Sequence, residues 1–139
     1  MPTLTRWFLK SSLLFLILTV VLGVLLSART PFGLPGWIGL LTPVYFHMFM
    51  VGWVTQLIFG VVFWMFPKYS KEKPRGSEKL GWLTFWLLNL GLVLRLIGEP
   101  AQAQNPTQSW GWMLATSAVL QWLAAIFFVA NSWGRVKER

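Results

Sequence analysis

The stretch PVYFHMFMVGWVTQLIFGVVFWMFP, from Pro43 to Pro67, decides the fold class. It is an apolar run between two prolines, and it exceeds the roughly 20 residues a helix needs to cross a bilayer. Pro43 suits the first turn of a helix, where a missing N–H costs nothing. Pro67 stops the helix. Inside the run lie His47, the only histidine of the chain, and Gly52, Gln56 and Gly60 at spacings of four. A membrane helix with a lone imidazole and a small–polar–small stripe is either a cofactor site or a packing helix.

The rest of the chain has the same character. Of its 139 residues, 55% are hydrophobic and 12% charged, against about 25% charged in ordinary soluble domains. Ten tryptophans, several near the ends of apolar runs, suit the membrane–water interface. Besides 43–66, apolar runs cover about 7–28, 80–98 and 110–132. The predicted fold is all-α: one transmembrane domain built as a four-helix up-down bundle in the lipid bilayer. The first run follows Arg6 and Lys10 and is longer than the apolar part of a signal peptide, so it reads as a retained span.

Pro31, Gly33, Pro35 and Gly36 mark the first connection as a loop, with a short interfacial turn expected over 37–41. Lys68, Lys71, Lys73, Arg75 and Lys79 make the second loop strongly basic, and Ser77 is placed to cap the third helix. The third loop, 99–109, carries no basic residue, and the tail holds Arg135, Lys137 and Arg139. Lys and Arg accumulate on cytoplasmic segments. The pattern therefore predicts both termini and the second loop in the cytoplasm, and suits a prokaryotic cytoplasmic membrane. The net charge of +8 is a topology signal. No basic–aromatic motif of a nucleic-acid module accompanies it, so nucleic acid is not an expected partner. With no cysteine, thiolate metal sites, iron–sulfur clusters and covalent haem attachment are excluded on this chain.

His47 falls about 6 Å into the second span, at ~1.5 Å per residue. Arg95 is three residues short of the predicted end of the third, on the same side, and Arg29 lies in the nearby loop. Ionisable residues inside membrane spans mark functional sites by default. One imidazole and two guanidiniums in one layer suit haem b, with iron on His47 and the propionates on Arg95 and Arg29. Tyr45, Phe46, Phe49 and Trp53 are close enough in sequence to contribute ring cover. The plainer reading keeps His47 on an interfacial carbonyl or water and lets Arg95 snorkel to the headgroups. On a helical wheel Met50, Val51 and Val54 share the face of His47. Gln56 lies opposite, and Gly52 and Gly60 beside it permit close helix packing. Asn89 and Gln121 are expected to make interhelical hydrogen bonds.

The segment HMFMVGWVTQLIFGVVFWMFP resembles a motif of short membrane proteins related to subunit I of haem–copper oxidases and nitric oxide reductases. WLLNLGLVLRLIGEP and LQWLAAIFFVANSWGRV resemble later parts of the same group, so that the likeness covers about two thirds of the chain. The resemblance implies that His47 matches an axial ligand of a low-spin haem. Arg95 is matched by depth, not by motif. The second axial histidine and the histidines of the oxygen-reducing site are missing, so the chain alone is not expected to reduce oxygen or nitric oxide. A second ligand has three sources. These are His47 of another copy across a two-fold axis, Met113 near the start of the fourth span, or none, which leaves a five-coordinate gas-binding haem.

The leading expectation is a membrane haem b protein for one-electron transfer, homodimeric or part of a larger respiratory complex. The competing one is a cofactor-free accessory subunit that uses the Gly52/Gln56/Gly60 face to bind another membrane protein. A small-molecule channel or transporter gains little support from one ionisable cluster near one surface.

Overall fold

A computed structural model describes residues 1–72 and 74–136. Of the basic residues used for topology, Lys73, Lys137 and Arg139 lie outside the described residues. Four helices follow one another: α1 Thr3–Ala28, α2 Gly36–Met65, α3 Glu78–Gln104 and α4 Gln108–Ser132. There is no strand among the described residues. All four helices are long and apolar enough to cross a membrane. The outward faces are apolar too, with Ile17 and Val24 each 62% exposed, as a bilayer solvent requires.

Helix α1 buries Phe8, Ser12, Phe15, Thr19 and Leu22. Their alternating spacing of four and three is that of a coiled-coil seam. The seam lies on α2 at Gly52 and Gly60. A Cβ on Gly52 would stand 2.7 Å from the Phe15 ring, and one on Gly60 2.8 Å from Phe8 Cβ. The two glycines therefore let α1 and α2 approach, as their spacing predicts. Gln56 between them is fully buried. This overturns one expectation: the stripe is covered by α1 of the same chain and is not free to bind another membrane protein.

Helix α3 packs on α4 through Gly91 and Gly98, one heptad apart. A Cβ on Gly91 would meet Gln121 Cγ at 2.8 Å, and one on Gly98 Leu114 Cδ2 at 2.9 Å. Ser117 Oγ donates to the Gly91 carbonyl at 2.7 Å. Helices α2 and α4 meet where Phe59 and Phe128 stack at 3.7 Å. The core has two apolar clusters. Leu4, Phe8, Phe59, Phe63, Phe85, Leu88 and Ala124 form one at the end holding both termini. Phe15, Leu22, Val44, Met48 and Leu92 form the other. Between them lies a polar layer. Asn89 Nδ2 donates to Gln56 Oε1 (3.3 Å) and to the Phe85 carbonyl (2.8 Å). Gln56 Nε2 and Ser11 Oγ both donate to Asn89 Oδ1 at 3.1 Å. With every amide group of Asn89 partnered, its partial burial among apolar rings is tolerated.

Two local features depart from the sequence reading. Helix α2 is not uniform: a 3₁₀ turn over Gly36–Leu41, at the expected place, leads into α-helix over Thr42–His47. A π-helical stretch, Met48–Thr55, then precedes α-helix over Gln56–Met65. Thr55 Oγ1 donates five residues back to the Met50 carbonyl at 2.8 Å. A wheel drawn at a constant 100° fails across such a stretch. Val51, expected on the face of His47, packs against both core clusters, while Met50 is 53% exposed. Helix α3 also runs past Gly98 to Gln104, with Pro100 inside it. Glu99 is thus a helix residue rather than a loop residue. Ser77 caps α3 as expected, its Oγ accepting from the Leu80 N–H at 3.3 Å.

Candidate functional site

At the end of the bundle opposite the termini, α2 and α3 bring three ionisable side chains together. His47 is the last residue of the first α-helical stretch of α2. Its Nδ1 lies 2.9 Å from the Pro43 carbonyl and 3.2 Å from Glu99 Oε1. The same Glu99 oxygen accepts from Arg95 Nη1 at 3.0 Å, one helical turn back along α3. Arg95 Nε donates to Ser117 Oγ at 3.4 Å, which ties the group to α4. The Glu99 side chain is only 9% exposed, and its Oε2 has no hydrogen-bond partner. A buried carboxylate needs a counter-charge, and Arg95 supplies it.

The tautomer of the imidazole follows from its neighbours. Both recorded contacts of Nδ1 are oxygen acceptors, so in the neutral ring Nδ1 carries the proton and Nε2 the lone pair. Metal-ligating histidines have this arrangement, donating from one nitrogen to a carboxylate or carbonyl while the other binds. The side chain of His47 is 31% exposed, and its sequence neighbours Phe46 and Met50 are more than half exposed.

The donor set limits which metals suit the site. Among the described residues no three His, Cys, Asp or Glu side chains come together to hold a bare metal ion. One imidazole, oriented by a carboxylate, suits a metal that brings its in-plane ligands with it. Haem iron needs only axial protein ligands, so these residues fit a haem.

The other expected site residues lie elsewhere. The Arg29 guanidinium packs against Gly39 in the 3₁₀ turn. Met113 Sδ sits against Gly98, 3.4 Å from where a Cβ would stand. Neither has a recorded contact with His47. Arg95 does share a site with His47, through Glu99 and not directly. Of the aromatic residues, Tyr45 turns toward Gly23 of α1. Phe49 and Trp53 continue a ladder of rings from it along α2.

Glu99 is the residue that sequence reasoning missed. The signal was its spacing of four from Arg95, which pairs opposite charges on an unbroken helix. Gly98 and Pro100 concealed it by reading as the end of that helix.

No protein-family model, curated protein or solved structure matches this chain.

Proposed function

We propose that this chain is an integral-membrane haem b protein that carries single electrons, with His47 as the iron ligand. One observation carries the reading. The imidazole is held at Nδ1 by the Pro43 carbonyl and Glu99 Oε1, which leaves the Nε2 lone pair for a metal. The resemblance to short membrane proteins related to oxidase subunit I, where the matching histidine of the large subunit binds a low-spin haem, supports it.

The bound haem would supply a reversible one-electron change at iron. The chain's own residues do the rest. His47 would ligate the iron, Glu99 orients the ring through Nδ1, and Arg95 pairs with Glu99 beside it. Phe46 and Met50 offer apolar cover for a macrocycle. The Arg95 guanidinium is already engaged by Glu99 and Ser117, so in this reading it acts on the carboxylate first and on a propionate second. Arg29, just past the end of α1 and packed on Gly39 at the start of α2, would be the other propionate partner. Met113 packs on Gly98, and His47 of another copy in a homodimer would be the second protein residue to hold the haem. The site lies on the outer side of a prokaryotic cytoplasmic membrane if the basic termini end is cytoplasmic.

The visible spectrum of protein purified from haem-replete cells tests this. A Soret band is expected, lost in His47→Ala. The absence of that band, or a band unchanged in His47→Ala, overturns the reading. Glu99→Gln should keep the haem and raise its reduction potential, because a neutral amide donates less electron density through the ring. A potential unchanged by Glu99→Gln would remove Glu99 from the site.

A further inference from the structure

A second site lies at the other end of the bundle, where α1 and α3 part to enclose a cavity of about 600 Å³. Its mouth holds Arg6 and Lys10, and its walls are Trp7, Phe85 and Trp86. Ser11 and Asn89, whose side chains hydrogen-bond, line its floor, with Leu14 beyond them. Arg6 and Lys10 are four residues apart and share one face of α1. Neither Arg6 nor Lys10 pairs with an acid among the described residues, and the ion pairs of Glu99 lie at the far end of the bundle. Arg6 Nη2 donates only to Thr3 Oγ1, at 3.2 Å. Two unneutralised cations on adjacent turns repel each other. Lys10 starts about 10 Å along the helix at ~1.5 Å per residue, which makes its charge costly in hydrocarbon. The amide of Asn89 is fully engaged by Gln56, Ser11 and Phe85, so the floor asks nothing of a ligand. What the site lacks is an anion at its mouth, joined to an apolar body that lies over the aromatic walls.

We propose that this cavity binds one acidic phospholipid. Its phosphate sits between Arg6 and Lys10, and an acyl chain lies along Trp7, Phe85 and Trp86 toward Asn89. A zwitterionic lipid brings its own cation to the mouth and gains less there. A neutral amphiphile leaves both charges unpaired. The two basic residues act on the headgroup as polybasic segments do, but at a shaped site.

The test is native mass spectrometry of the full chain from nanodiscs containing equal phosphatidylglycerol and phosphatidylcholine. One retained phosphatidylglycerol per chain is expected, preferred over phosphatidylcholine about tenfold. The preference should fall below about twofold in Arg6→Gln/Lys10→Gln. It should survive in the charge-preserving pair Arg6→Lys/Lys10→Arg, which guards against loss through misfolding. It should also survive in Lys71→Gln/Lys79→Gln, which removes the same charge from the same end of the bundle. Wild-type protein with no preference overturns the site. So does equal loss in the Lys71/Lys79 variant, which would make the preference a bulk charge effect. Displacement of the lipid by millimolar inorganic phosphate would also overturn it, since the apolar walls would then contribute nothing. None of these outcomes depends on whether haem is bound at His47.

Discussion

Replacing Arg135 with alanine should destabilise the protein by about 3–5 kcal/mol, the largest single-residue effect expected outside the helix crossings. The reason begins with Pro67. In a continuing helix the N–H of residue 67 would donate to the Phe63 carbonyl. Proline has no N–H, so that carbonyl is orphaned, along with the other carbonyls at the end of α2. The Arg135 guanidinium, from the turn that follows α4, takes over. Its Nη2 donates to the carbonyls of Phe63 (3.2 Å) and Phe66 (2.8 Å), and its Nε to that of Pro67 (3.0 Å). The side chain is 1% exposed and passes over the Phe66 ring, 6.0 Å from its centroid. The cation also stands at the negative end of the α2 dipole. Arg135→Lys keeps a charge but cannot reach three carbonyls in a plane, so about half the loss should remain. Unfolding by SDS in mixed micelles would measure both. Wild-type stability in Arg135→Ala would show that solvent or lipid headgroups satisfy these carbonyls equally well.

Gly52→Leu should be nearly as damaging, costing about 3 kcal/mol or preventing the packing of α1 altogether. A Cβ alone would stand within 3.0 Å of three atoms of Phe15, and α1 is fixed on both sides of that point by Thr5, Phe8, Thr19 and Leu22. The helices must separate or Phe15 must leave its place in the core cluster with Leu22, Val44, Met48 and Leu92. A second change, Phe15→Val, should restore part of the loss, because it removes the ring that the new side chain meets. The four unfolding free energies of that cycle give the coupling directly. A coupling near zero would mean that the two residues do not share the crossing.

Much of this architecture was legible from hydropathy, because a bilayer-spanning helix advertises itself by length and apolar content. The glycine stripe was legible for a similar reason: spacing of four on one helix face survives the π-helical stretch well enough to mark the α1 contact. Ser77 announced its capping role by position. The candidate site was harder to read. His47 and Arg95 were placed in one layer by counting residues from helix ends, and the structure does join them. The joining residue, Glu99, was hidden behind a glycine and a proline. Depth alone also grouped Arg29 and Met113 with His47, but depth fixes only one of three coordinates, and both side chains spend their contacts elsewhere. Arg135 was counted as a tail charge that signals topology. Nothing local in the sequence says that a guanidinium three residues past a helix will turn back to the end of another. That contact depends on how α4 lies against α2, and the bond from the Ser77 N–H to Asn131 Oδ1 at 2.8 Å depends likewise on how α4 lies against the start of α3.

The π-helical stretch Met48–Thr55 has a consequence for how this chain tolerates change in length. Such a stretch is an α-helix carrying one residue more than its turns require. Removing one residue there would leave a regular helix with the same number of turns, so the segments before and after it would keep their azimuth. Gly52, Gln56 and Gly60 would still face α1 if the deletion fell near Met48, and His47 would still face Glu99. Removing one residue from the regular Gln56–Met65 stretch would instead swing one side by about 100° about the axis and turn Gly60 away from Phe8. The wide turns work as a slack length that absorbs a change in residue number without re-aiming the packing stripe or the imidazole.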